Sequence, residues 1–391
     1  MSPVRALSNP LAATEQDLRP AGRAPLDFHR RLPGYAVTPL VDAPALAGSL
    51  GVGKVWVKDE SWRLGLPAFK ILGASWAVYR ALERHSGGLG GWGDIDGLRG
   101  RLAPLRPMTL AAATDGNHGR AVARMAKLLG LGARIFVPDG MAPARIGAIE
   151  SEGAEVVVVH GTYDDAVARS AEEADARCLV ISDTSWPGYE DVPRWVIEGY
   201  STILWEVDDE LARLGEEGPT VVVVQIGVGA FAAAVTRHFR SPAVSPRPKI
   251  LGVEPARVAC ALASAEAGGV VHLPGPHASI MAGLNCGSPS VVAWPTVSKG
   301  IDLFVAIEDD WSREAMRMLA GAGMVAGETG AAGLAGFLAV AREEGGRRAR
   351  RELGLTEEAR VLIFNCEGAT DPGAYQRVLE GADGPPRTAD P

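Results

Sequence analysis

The sequence predicts an α/β protein of two domains, built on mostly parallel open sheets covered by helices. Three observations carry that expectation. Short runs rich in Val and Ile recur along the chain, and segments of helical length rich in Ala, Leu, Arg and Glu alternate with them. The third is size: 391 residues, 47% hydrophobic and 22% charged, can bury more than one core.

The apolar runs are KVWVK (54–58), RIFVP (134–138), EVVVVH (155–160), CLVIS (178–182), TVVVVQIG (220–227) and RVLIFNCEG (360–368). Each is continuously apolar over strand length, as strands covered on both faces are, so they read as buried parallel strands. Between them GRAVARMAKLLGLG (119–132) and YDDAVARSAEEADA (163–176) have the length and composition of helices, as does ILGASWAVYRAL after Lys70. Strands alternating with helices imply sheets covered by helices on both faces. Less order is expected in the Gly-heavy, aperiodic stretch 87–107, which reads as a flexible excursion. The first 20 and last 15 or so residues also read as loose.

The bulk properties exclude several classes. A net charge of -8, with basic residues scattered among acidic ones, argues against nucleic-acid binding, which needs clustered Lys and Arg. Four cysteines lie far apart without a CxxC pair, which suggests neither a zinc site nor a disulfide framework and fits a reduced cytoplasm. The nearest histidine pair, His272 and His277, lacks helical i,i+4 spacing, so no metal is expected. The N-terminus has no apolar h-region and no run reaches the roughly 18 apolar residues of a membrane span, so a cytoplasmic protein is expected.

In open α/β sheets, ligands bind where strand-to-helix loops converge at the carboxyl ends of strands. TDGNHG (114–119) follows the strand-like MTLAAA and opens a helix, GVGAF (227–231) follows VVVVQI, and NCEGATDP (365–372) follows the last apolar run. Lys70, in KDESWRLGLPAFKILGAS (58–75), enters a helix among apolar neighbours, where a lysine amine can serve in a Schiff base. Taken alone it reads more readily as a lysine whose stem packs while its head reaches solvent. The amides of Gly227, Val228, Gly229 and Ala230, at a helix start, can cradle a phosphate or simply form a tight turn. In TDGNHG, the helix-opening amides and the Thr114 hydroxyl suit a carboxylate, or an N-cap.

Together, an apolar lysine, a TDGNHG loop and a later strand–GVGA–helix resemble the fold-type-II pyridoxal-phosphate enzymes. Within that group the sequence is most similar to the diaminopropionate ammonia-lyases, from about residue 34 to 379. The similar segments include VKDES with GLPAFK, TDGNHGR, YDDAV, SDTSWPGY, PRWVIEGY, GVGA, VEP, SIMAGLNCG, GETGA and EGATDP. The resemblance implies a Schiff base to pyridoxal 5'-phosphate at Lys70, a bond from Asn117 to the cofactor's phenolic oxygen, and a phosphate seat at Gly227–Ala230. It implies substrate contacts at Thr114, Asp115, Gly116 and His118. The aspartate in TDGNHG, which serine and threonine dehydratases usually lack, points to a cationic β-substituent as leaving group.

Asp115 is the first expected catalytic carboxylate, and the resemblance adds Asp183; two carboxylates on opposite faces of the substrate would let both D- and L-2,3-diaminopropionate react. Asp183 also reads as a turn or helix cap, and Asp164 and Asp165 read as caps rather than catalytic groups. Near the C-terminus the family commonly has Ser-Thr-Glu-Gly where this chain has Asn365-Cys366-Glu367-Gly368. Cys366 is therefore either the partner of the cofactor's pyridine nitrogen or a small buried apolar residue. Thr329, beside Glu328, stands where serine is usual. The family layout further implies a homodimer and a large domain (1–81 and 191–391) interrupted by a smaller one (82–190). Two rival readings remain: a serine, threonine or 3-hydroxyaspartate dehydratase, and a non-catalytic protein that binds a small ligand through GVGA and regulates a partner.

Overall fold

The computed structural model describes residues 4–13, 18–114, 116–343 and 346–382. Among them are eleven strands: β1 (Arg5–Ser8), β2 (Leu40–Asp42), β3 (Lys54–Asp59), β4 (Thr109–Ala113), β5 (Gly132–Pro138), β6 (Glu155–Val159), β7 (Cys178–Val180), β8 (Val221–Gln225), β9 (Lys249–Pro255), β10 (Leu303–Ile307) and β11 (Arg360–Asn365). They form a seven-stranded sheet in the order β1-β10-β9-β8-β11-β3-β2 and a four-stranded sheet in the order β6-β5-β4-β7. Only the edge strands of the larger sheet run antiparallel, β1 against β10 and β2 against β3. The expected α/β architecture with mostly parallel sheets is what the chain forms.

Burial follows position in the sheets. The central strands β8 and β10 are buried at every residue, as strands with helices on both faces must be. EVVVV of β6, just as apolar, lies at a sheet edge and leaves Val158 half exposed. All six apolar runs became strands, but β9 and β10 were not among them. KILGVEP of β9 is interrupted by Gly252 and Glu254, and its strand state comes from pairing with β8 on one side and β10 on the other.

Parts of two stretches expected to be loose are ordered, for the same reason: partners distant in sequence supply the order. Residues Arg5–Ser8 pair with β10, Leu7 opposite Phe304. In 87–107 a helix, Ile95–Arg101, starts where the Asp94 side chain accepts from the Gly97 amide at 2.8 Å. Leu98 and Leu102 are fully buried, and Trp92 packs edge-on against Phe28 at 5.7 Å. The expected loose C-terminus falls largely on 383–391, outside the described residues.

The helix Lys70–His85 packs against Asn117–Leu129 and Asp191–Leu214 within one apolar core, which also takes in Leu110 and Ile135 of the small sheet and Val222 and Phe364 of the large one. At its head, the loop from β3 is fixed by a buried set of charges. Glu206 accepts from Lys58 Nζ and from Arg63 Nη1, both at 2.8 Å, and Arg63 Nε donates to Glu60 at 2.8 Å. Two cations and two carboxylates balance there, which is what allows all four to be buried. The end of the loop is tied to the strand beyond: the Gly368 amide donates to Pro67 O at 3.0 Å and the Phe69 amide to Cys366 O at 3.3 Å. Lys70 is thereby held beside the carboxyl end of β11.

Candidate active site

Loops from the carboxyl ends of both sheets meet around a cavity. Lys70 reaches it from the head of its helix, Asn117 from the loop after β4, Asp183 from the loop after β7, Gly227–Ala230 from β8, and Cys366 and Glu367 from β11. This convergence is where an open parallel sheet places its ligand. A more open cleft adjoins the cavity, shares Tyr163 with it, and carries Arg145, Glu328 and Asp371 on its walls.

Lys70 Nζ donates to Asp183 Oδ2 at 2.8 Å, and the Tyr163 hydroxyl donates to Asp183 Oδ1 at 3.1 Å. Burial opposes ionisation of Asp183, but the Lys70 cation outweighs it and holds the carboxyl well below the usual carboxylate range. The carboxylate and the ammonium therefore face each other as a charged pair. Opposite them, the Asn117 side-chain amide donates to the Glu367 carboxylate, which also accepts from the Thr329 amide at 3.2 Å. Cys366 Sγ lies 3.5 Å from Thr329 O, and burial pushes its thiol pKa up, so it stays protonated.

The turn after β8 is shaped by close approach. A Cβ on Gly227 would meet Gly283 O at 2.9 Å, and Gly229 sits at φ 92°, in the left-handed region that favours glycine. The amides of Gly227, Val228 and Gly229 have no main-chain acceptor among the described residues, and they stand at the positive end of the ten-residue helix Ala230–Phe239. That arrangement is a seat for an anion.

Of the residues expected from sequence, Lys70, Asn117, Asp183, Gly227, Val228, Gly229, Ala230 and Cys366 all line the cavity. Asp115 lies outside the described residues. Thr114 and His118 do not line the cavity; their side chains are buried behind the loop. Thr114 Oγ1 accepts from the Gly116 amide at 2.8 Å, bracing the turn. The His118 ring is turned to Ile181 O at 2.7 Å, so its expected substrate contact is corrected to a place behind Asp183. The reason is steric: His118 is on the core-facing side of the helix Asn117–Leu129. Asp165 is a cap, completing a capping box with Thr162.

Tyr163, Gln225 and Glu367 line the cavity without having been singled out. Tyr163 and Glu367 lie inside segments that carry the family resemblance, YDDAV and EGATDP, which was their only signal. Gln225 ends a run of valines and had none. Among the described residues no group of three His, Cys, Asp or Glu side chains is placed to hold a metal ion. No described helix is long and apolar enough to cross a membrane.

A family model for pyridoxal-phosphate dependent enzymes matches residues 31–361. This chain belongs to that family. Within the pyridoxal-phosphate dependent enzymes it groups with the diaminopropionate ammonia-lyases. It is 36% identical to the diaminopropionate ammonia-lyase of Escherichia coli over 362 residues, covering 90% of this chain and 89% of that one. It is 34% identical to the Salmonella typhimurium enzyme of the same name over 374 residues, covering 92% and 91%. The crystal structure of the Escherichia coli enzyme in complex with D-serine superposes with a TM-score of 0.89 at 32% identity, covering 97% of each chain.

The residues present fit the family's cofactor. The glycine turn offers bare amides at a helix start for its phosphate, Lys70 supplies the amine, and Asn117, held by Glu367, offers an amide beside it. Gln225 Oε1, buried without a partner, marks a polar wall at the same cavity. A neutral thiol at Cys366 suits an unprotonated ring nitrogen.

Proposed function

We propose that this chain catalyses the α,β-elimination of 2,3-diaminopropionate, in both D and L configurations, to pyruvate and ammonia. The observation that carries the reading is the pair Lys70–Asp183, an amine and a carboxylate at 2.8 Å within one cavity, in a chain over one third identical to diaminopropionate ammonia-lyases along nine tenths of its length.

The bound cofactor supplies an electron sink that stabilises negative charge at the substrate's Cα. What the chain contributes is position and proton transfer. Lys70 holds the cofactor through its amine, and Gly227, Val228, Gly229 and Ala230 hold the phosphate. Asn117, its amide oriented by Glu367, would bond the phenolic oxygen. Cys366 would stand by the pyridine nitrogen as a neutral thiol. The loop Thr114–His118 takes the substrate carboxylate on its main chain, braced by Thr114. Asp183, held by Tyr163, removes the Cα proton from one enantiomer, and Asp115 removes it from the other. A carboxylate at Asp115 also favours a β-ammonium over a β-hydroxyl, which makes ammonia rather than water the leaving group. The domain limits near 82 and 190, a homodimeric assembly and a cytoplasmic location complete the reading.

Pyruvate release from the purified protein with D- and L-2,3-diaminopropionate, serine and threonine tests it. Both diaminopropionate enantiomers should turn over, with Asp115→Asn and Asp183→Asn each removing a different one. Equal turnover of serine and diaminopropionate, or equal loss of both enantiomers in either variant, sinks the assignment.

A further inference from the structure

Among the described residues, the Asp, Glu, Lys and Arg side chains on the walls of the cleft beside the cavity are Asp139, Arg145, Glu328 and Asp371. Two of them are committed to local structure. Asp139 Oδ2 accepts from the Gly161 amide at 3.3 Å and lies 3.0 Å from His160 Nδ1, and Asp371 Oδ1 caps a helix by accepting from the Ala374 amide at 3.0 Å. Arg145 and Glu328 are not: neither side chain makes a hydrogen bond or ion pair with another described residue.

The two come from opposite sides of the cleft. Arg145 stands on the helix Pro143–Glu150, which joins β5 to β6 of the small sheet, and its stem lies along the TDGNHG loop, where a Cβ on Gly116 would meet Arg145 Cδ at 3.3 Å. Glu328 stands before the helix Ala332–Arg342, which packs on β8, β9 and β10 of the large sheet, and its neighbour Thr329 lines the cavity itself. Glu328 is only 6% exposed. Burial pushes its pKa up and the Glu367 and Asp371 carboxylates add to the rise, while its own amide and the Arg145 cation oppose it. A carboxyl buried without a partner is costly, and in a cleft it marks a place where a ligand supplies the missing charge.

We propose that Arg145 and Glu328 form a two-pole subsite that selects a diamino acid, Arg145 taking the α-carboxylate together with the loop amides and Glu328 taking the β-ammonium. This rests on the reading of 2,3-diaminopropionate as substrate. Once its α-amine is engaged by the cofactor, that molecule keeps two charges, a carboxylate on Cα and an ammonium on Cβ. The guanidinium meets the first with a charge-assisted hydrogen bond. The second, brought beside Glu328, favours the ionised carboxylate and provides the counter-ion that the protein lacks. Serine keeps only the carboxylate, since its β-substituent is a neutral hydroxyl. The two poles therefore divide the work: Arg145 serves any amino acid, and Glu328, in addition to Asp115, serves those with a cationic β-substituent.

Two ligands of the holoenzyme separate these roles from a merely structural one. KM and kcat for 2,3-diaminopropionate are read from pyruvate release, and the dissociation constant of D-serine from the absorbance change of the bound cofactor. Glu328→Gln keeps the size of the side chain and removes its charge. It should raise KM for diaminopropionate tenfold or more, with kcat within threefold, and leave D-serine binding within twofold. Arg145→Gln should weaken both ligands tenfold or more. The charge-keeping variants Glu328→Asp and Arg145→Lys should recover most of each loss, and thermal unfolding of all four shows that they are folded. Equal losses for the two ligands in Glu328→Gln, or unchanged D-serine binding in Arg145→Gln, overturn the proposal. Failure of the underlying reading shows separately, in unmodified protein that releases no pyruvate from either enantiomer of diaminopropionate. The compound is then not consumed, and its own absorbance titration, unmodified protein against Glu328→Gln, still decides whether that carboxyl binds the ammonium.

Discussion

Adding one methyl group at Gly227 tests whether the turn after β8 is the phosphate seat. A Cβ there would lie 2.9 Å from Gly283 O, 3.4 Å from Cys286 Sγ and 3.5 Å from Leu284 Cα. The first contact is with main chain, which cannot rotate aside, so the two walls of the cavity must part by a few tenths of an ångström. Overpacking of this kind costs about 1–3 kcal/mol. If that cost falls on the bound form, Gly227→Ala weakens binding of pyridoxal 5'-phosphate roughly 5- to 150-fold. The assay is an equilibrium absorbance titration of cofactor-free protein, with thermal unfolding of the same preparation to show that it remains folded. Pyridoxal, which lacks the phosphate, provides the control and should bind the variant and the parent within twofold. Unchanged affinity for the phosphorylated form, or the same loss for pyridoxal, would refute the reasoning.

Three further outcomes are expected. Lys70→Ala should abolish the absorbance near roughly 410–420 nm that a lysine Schiff base gives, together with pyruvate release; a retained band at that position would move the amine elsewhere. Glu206→Gln leaves Lys58 and Arg63 buried with one carboxylate between them and should cost about 3–5 kcal/mol, or about 4–6 °C in Tm for a chain of this size. Burial opposes ionisation of Glu206, but Arg63 and Lys58 hold its pKa low, so the unmodified protein should lose this stability as pH falls below about 4.3, and the variant should lack that slope in denaturant midpoints. Glu254 has the opposite sign: burial raises its pKa to about 7 even though the Ala261 and Leu262 amides donate to it at 2.7 and 2.8 Å. Its ionisation on folding is therefore penalised, and stability should decline by about 3 kcal/mol between pH 4.5 and 7. Glu254→Gln should flatten that decline, and parallel pH profiles for the two proteins would count against it.

The parts of the site legible in the sequence are those with a local signature. Glycines at 227 and 229 announce a turn that no other residue could make as cheaply, and a strand-like run before each loop places TDGNHG, GVGA and NCEGATDP at strand ends. Lys70 is different. Its own neighbours leave it ambiguous, and only the order of the motifs around it picked it out. Tyr163, Gln225 and Glu367 had no chemistry-bearing pattern of their own because their partners, Asp183, Phe364 and Asn117, are distant in sequence.

The sequence by itself determined the α/β class, the six apolar strands and the loops that carry the chemistry, because period, length and glycine position are local properties of the chain. Only the tertiary structure decided which way the side chains on those loops turn. Asn117 and His118 are neighbours in one motif, yet one faces the cavity and the other the core, since consecutive helical residues point about 100° apart. That difference places Asn117 on the cavity wall and His118 behind Asp183, and it exists only once the helix is packed against its sheet.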